Sequence, residues 1–129
     1  MNIDHTALYA GLLGLLLVAL SYRVAQRRIR FRVGVGAGDQ PELERAIRVQ
    51  ANFTEYVPLA LILLALYEAG GAPGWALHGA GTVLVVSRLL HAVGLTRSAG
   101  RSAPRFIGVV GTWLVIIALS LANIGQVLA

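Results

Sequence analysis

Four long apolar stretches, separated by two Arg-rich loops and one short uncharged turn, dominate the pattern of this chain. A helix rises about 1.5 Å per residue, so about 20 residues cross a hydrocarbon core of roughly 30 Å. We place the predicted membrane spans at about residues 7–25, 53–67, 75–95 and 106–128. The pattern predicts an all-α integral membrane protein, a four-transmembrane-helix bundle formed by one domain of residues 1–129.

The first loop, residues 26–41, has two halves of different character. Its basic first half could prolong the first helix beyond the membrane. Its second half has three glycines at alternate positions and no phosphate-binding pattern, which favours a turn. Asp39 or Gln40, followed by Pro41 and Glu42, then predicts the start of the second helix, because proline and acidic residues suit a first turn.

The arginines are distributed unevenly along the chain. Seven lie between residues 23 and 48, and Arg97, Arg101 and Arg105 lie between the third and fourth spans. The N-terminus, the turn at residues 69–74 and the C-terminus have none. Because loops rich in Lys and Arg stay in the cytoplasm, the sequence predicts that both termini face outward, an N-out/C-out topology.

Composition agrees with a membrane location and excludes some chemistry. Charged residues make up 13% of the chain, against about 25% in soluble domains. The net charge of +5 comes from arginines at the ends of apolar runs, so we interpret it as a topology signal and predict no nucleic-acid partner. There is no cysteine, so any sulfur chemistry must come from a substrate. The spacing of His, Asp and Glu gives no metal set, and we predict no metal.

A polar stretch from Glu44 to Pro58 leads into the second span. On a helix, Arg48, Asn52 and Glu55 share one face. Polar and ionisable residues at such a depth are costly against lipid and are functional candidates. The predicted topology brings Arg88 and His91 to the same end of the bundle. Arginines with one carboxylate suit a small zwitterionic or polyanionic ligand.

A structural alternative stays open for the same residues. Arg48 and Glu55 could pair with each other, and Arg88 could bond a neighbouring carbonyl or Glu55, so that these contacts only tie helices together. A single histidine such as His91 is more often packed than used as a ligand or base. Tyr56 could be an interfacial anchor or a phenol donor to the site, and spacing does not decide between them.

Three segments together resemble a known family. They are E-R-A-I-R-V-Q-A-N-F-T-E-Y-V-P-L at 44–59, S-R-L-L-H at 87–91 and R-S-A-G-R-S-A-P-R at 97–105. They resemble the membrane-associated proteins in eicosanoid and glutathione metabolism, the MAPEG family. Chain length, the four spans and the topology agree, so the resemblance covers nearly the whole chain.

The resemblance implies a homotrimer that binds glutathione, as co-substrate, between neighbouring subunits near the cytoplasmic face. The residues that would hold its carboxylates and amine are Arg48, Asn52, Glu55 and Tyr56. Gln50 and an arginine at the basic end of helix one, Arg28 or Arg30, would reach in from the neighbour.

Arg101 matches the arginine that the family is proposed to use in catalysis. A guanidinium beside a thiol favours the thiolate, which is the nucleophile. The implied activity is that of a glutathione transferase or peroxidase acting on lipophilic electrophiles that enter from the bilayer. His91 and Leu95 stand where family members often have tyrosines that contact glutathione, so His91 is a candidate contact of different chemistry.

Two other functions remain possible on sequence grounds. One is a non-catalytic membrane protein of the same fold, for which His91 and Leu95 are the main argument. The other is a small four-helix proton-coupled transporter, although such proteins commonly carry an acidic residue in the first span and residues 7–25 have none. All basic residues are arginines and the chain is rich in Ala and Gly, which predicts a bacterial source and hence an inner-membrane protein. The charge topology places its site toward the cytoplasm.

Overall fold

The computed structural model describes residues 1–97 and 102–129, and the side chains of all of these except residues 95–97. This part of the chain is all-helical. The four helices are α1 (Asp4–Phe31), α2 (Pro41–Ala69), α3 (Gly74–Arg97) and α4 (Ala103–Leu128). Each contains a segment long and apolar enough to cross a membrane. The predicted fold class, an all-α bundle with four membrane-spanning helices, is confirmed.

The helix ends follow local sequence signals. α1 includes the basic first half of the loop and ends where Arg32 adopts a left-handed conformation, with φ of 56°. Gly36 and Gly38 also have positive φ, which glycine adopts without strain. α2 begins at Pro41 with two glutamates in its first turn, and it continues through Pro58.

The two middle helices form the centre of the bundle. α2 and α3 contact each other, and each also contacts both α1 and α4. Their buried core includes Leu13, Phe53, Leu84 and Val115, one from each helix. Many outward positions are also apolar, as lipid contact requires. Because lipid tails are as apolar as leucine, packing and interhelical hydrogen bonds must supply much of the helix association.

α3 and α4 approach each other so closely that only glycine fits at Gly108. A Cβ atom there would lie 2.5 Å from the Ser87 carbonyl oxygen and 2.5 Å from the His91 amide nitrogen. At Gly111 an added Cβ atom would meet the Ser87 hydroxyl, which would have to move away. This contact fixes the distance between α3 and α4. It therefore also fixes the space available to the polar side chains that are buried beside it.

A second polar group lies at the other end of the bundle. Glu68, near the end of α2, accepts hydrogen bonds from the backbone amides of His5 and Thr6 at 2.9 and 2.7 Å. The Tyr9 hydroxyl lies 2.8 Å from His78 Nδ1 and links α1 to α3. Asn123 donates to the Leu63 carbonyl at 2.9 Å and links α4 to α2. These contacts satisfy polar groups that would otherwise face lipid.

Candidate functional site

Arg48 and Glu55 form an exposed ion pair along the outer face of α2. Arg48 Nη2 lies 3.7 Å from Glu55 Oε1, and the two side chains are 55% and 51% exposed. The pair joins two positions of one helix, and therefore links no two helices. Both charged groups are reachable from outside the subunit. Leu59, also exposed, continues this face toward the middle of the span.

Arg88 is the polar centre of the bundle at this end. It is 2% exposed and donates to Asn52 Oδ1 at 2.7 Å and to Thr112 Oγ1 at 3.5 Å, so it joins α3 to both α2 and α4. Its guanidinium carbon also lies 5.9 Å from the centre of the Phe53 ring. Among the described residues its oxygen acceptors belong to a side-chain amide and a hydroxyl, and neither a backbone carbonyl nor Glu55 takes that place. An arginine within an apolar span needs polar partners. Its presence in the sequence is therefore a signal for a buried polar centre of this kind.

His91 lies inside the bundle beside Arg88. It is 1% exposed, and its Nδ1 is 3.4 Å from Arg88 Nη2. The structure thus packs His91 between α3 and α4, and a direct contact with a ligand remains a prediction. Tyr56 is half-buried on α2, one residue from Glu55.

Three predicted contributors lie away from the exposed pair in a single copy of the chain. Gln50 Nε2 donates to Ser21 Oγ at 3.2 Å, which turns it toward α1. Arg28 donates to the Gly36 carbonyl at 2.9 Å, and Arg30 Nη1 lies 3.6 Å from Glu42. At 3.6 residues per turn, Gln50 and Arg48 point about 200° apart around α2. The two side chains therefore leave α2 on nearly opposite sides, Gln50 toward α1 and Arg48 on the exposed face.

Arg101, the predicted catalytic residue, falls outside the described part of the chain. Immediately after it in the sequence, the start of α4 lines a cavity of about 640 Å³. Described residues of the lining are Ser102, Ala103, Arg105, Phe106 and Val109. Phe106 is 69% exposed, so the cavity offers an apolar surface next to the cationic Arg105.

Fold and motif together define the class of protein. The chain matches the MAPEG family over residues 6–125, and it belongs to that family. It is therefore an integral membrane protein, as the sequence predicted.

Its curated relatives include both bacterial and mammalian proteins. The chain is 39% identical to the inner membrane protein YecN of Escherichia coli K12 over 119 residues, which cover 92% of this chain and 89% of YecN. It is 36% identical to bovine leukotriene C4 synthase over 133 residues, covering 97% of this chain and 86% of the relative. Guinea-pig (Cavia porcellus) leukotriene C4 synthase is 37% identical over 130 residues, with 95% and 82% covered. The predicted bacterial inner-membrane location is confirmed by the family, the inner membrane protein of Escherichia coli and the four spans.

Proposed function

We propose that this protein binds glutathione at the outer face of α2 and uses it as co-substrate in a transferase or peroxidase reaction with lipophilic electrophiles. The observation that carries the proposal is the exposed Arg48–Glu55 pair. If these charges served only to tie helices, they would connect two helices, as Arg88 does. A pair confined to one exposed helix face adds little stability, so its charges are explained better by a ligand.

Glutathione matches the charges of this face. Its γ-glutamyl end carries a carboxylate and an ammonium group side by side. Arg48 can bind the carboxylate with its guanidinium fork, and Glu55 can accept the ammonium. Both are half-exposed, so the ligand can replace the 3.7 Å contact between them at small cost. Asn52 lies one helical turn from each and can hydrogen-bond the same ligand.

We further propose a homotrimer with the ligand between subunits, near the cytoplasmic face. Gln50 and Arg48 point to nearly opposite sides of α2, so a second copy must supply one of them if both bind one glutathione. Arg28 and Arg30, at the end of α1, are proposed to come from that same neighbour. Symmetric assembly of identical subunits would create such a shared site at every interface.

In this proposal Arg101 stabilises the thiolate of bound glutathione, which attacks the second substrate. A positive guanidinium favours the charged form of the thiol. The cavity at the start of α4, with Phe106 in its lining, is proposed to receive a lipophilic electrophile from the bilayer. The name leukotriene C4 synthase states what that relative makes, and no residue of this chain identifies the same product. We therefore propose the second substrate only as a chemical class, a lipophilic electrophile.

Isothermal titration of detergent-purified protein with glutathione tests the proposal. We expect saturable binding by the wild type, weaker binding by Glu55→Gln, and unchanged binding by Glu44→Gln, a matched change at an exposed glutamate of the same helix. Arg101→Ala should retain binding but lose conjugation of an aryl halide and reduction of a hydroperoxide. A wild-type protein without saturable binding would overturn the proposal. Normal binding without turnover of any substrate would favour the non-catalytic alternative.

A further inference from the structure

Asn52 lies between the buried Arg88 and the exposed face of α2. Its Oδ1 accepts a hydrogen bond from Arg88 Nη2 at 2.7 Å. The described part of the chain holds no acceptor for its Nδ2 group. Asn52 itself is half-buried, and Arg48 and Glu55 lie four residues before it and three residues after it, on neighbouring positions of the helix surface.

The chemistry of Arg88 fixes which way the Asn52 amide points. A guanidinium carries only donors, so the atom facing it must be the amide oxygen. The amide NH₂ group must then point away from Arg88. A side-chain amide without such a neighbour can present either its oxygen or its nitrogen, because rotation by half a turn exchanges the two.

We propose that Arg88 is a positioning residue that makes Asn52 a donor-only group toward the ligand on the outer face of α2. The proposal rests on the proposed function. It implies that the part of glutathione next to Asn52 is an oxygen acceptor, either a carboxylate or a peptide carbonyl, and never its ammonium group. Arg88 thereby selects ligands that place an oxygen at this point.

Arg88 is poorly explained as a helix tie alone. It is 2% exposed, and among the described residues its Nε has no hydrogen-bond partner. Burying an incompletely satisfied charged group is costly, and an apolar residue would often serve packing better. The orientation of Asn52 explains the charge, because an apolar residue at position 88 could not donate a hydrogen bond to the amide oxygen.

Asn52→Asp separates the orienting role from a structural one. The aspartate keeps an acceptor for Arg88, so the midpoint of thermal unfolding should stay at or above the wild-type value. It offers no donor to the ligand, so its Kd for glutathione should rise about tenfold or more. Thr112→Val is the matched control: it removes the second oxygen acceptor of Arg88 and should lower the unfolding midpoint while changing Kd less than about twofold.

Variants at Arg88 test whether another hydrogen-bond donor can replace its guanidinium group. Arg88→Lys keeps a donor for Asn52 Oδ1 and should bind glutathione more tightly than Arg88→Met. Wild-type affinity in Asn52→Asp, or a parallel loss of affinity and unfolding midpoint in that variant, would overturn the positioning role alone. Failure of the wild type to bind glutathione would instead overturn the proposed function, together with this inference.

Discussion

The Glu68 carboxylate at the end of α2 caps the first turn of α1 through Thr6. One carboxylate oxygen accepts from both the backbone amide and the hydroxyl of Thr6, each at 2.7 Å, and the other accepts from the His5 amide at 2.9 Å. Glu68 is 8% exposed. First-turn amides have no partner within their own helix, so a carboxylate from α2 satisfies them and complements the helix dipole.

Glu68→Ala should therefore destabilise the bundle markedly. Removing the carboxylate leaves the buried Thr6 amide and hydroxyl without their acceptor, which costs about 1–3 kcal/mol. The midpoint of thermal unfolding in detergent measures the loss. Glu44→Ala, at an exposed site, is the control and should shift the midpoint much less. Equal shifts in the two variants would show that the cap contributes nothing.

Gly108→Ala should also destabilise the protein, for a steric reason. The added Cβ would meet backbone atoms of Ser87 and His91 at 2.5 Å, so α4 must move away from α3. Overpacking of this kind typically costs about 1–3 kcal/mol. Because Arg88 bonds Thr112 across the same interface, the displacement should loosen that contact as well.

The control for this change lies on the same helix. A Cβ atom added at Gly125 would meet nothing within 4 Å. Gly125→Ala should therefore be neutral or stabilising, because alanine has a higher helix propensity than glycine. Both variants are compared by thermal unfolding. A Gly108→Ala protein as stable as Gly125→Ala would contradict the close approach of α3 and α4.

Interchanging the charges of Arg48 and Glu55 should separate binding from stability. The double variant Arg48→Glu/Glu55→Arg keeps an exposed pair of opposite charges on one helix. Because such pairs contribute at most about 1 kcal/mol, the unfolding midpoint should hardly change. Glutathione would then meet a carboxylate where its carboxylate should bind, and titration should show an affinity loss of about tenfold or more. Retained affinity would rule out this face as the binding surface.

Much of the architecture could be predicted from the sequence because it depends on local pattern. Apolar stretches of sufficient length gave the four spans, and Pro41 with its following glutamates marked the start of α2. The 3.6-residue period also placed Arg48 and Glu55 on one helix face, which is exposed in the structure.

The contacts between helices could not be predicted in the same way. Which residue meets Arg88 depends on how α2 and α3 rotate about their axes, and spacing along one helix carries no such information. The partner is Asn52, although Glu55 is only three residues further along the same helix. The pairing of Glu68 with the start of α1 joins residues 62 positions apart and likewise depends on packing.

Mixing two defective subunits should restore binding if the site lies between copies. Arg48→Leu and Gln50→Leu should each abolish or greatly weaken glutathione binding when expressed alone. In randomly mixed homo-oligomers, an interface regains both side chains when an intact Arg48 face meets an intact Gln50 face, which happens at about a quarter of the interfaces. Tandem purification removes the trimers that contain only one variant, and each remaining mixed trimer has one restored interface in three. Titration of the co-expressed, tandem-purified protein should therefore give about a third of the wild-type number of sites. If no sites return, Arg48 and Gln50 do not act across an interface, and normal binding by Gln50→Leu alone would remove Gln50 from the site.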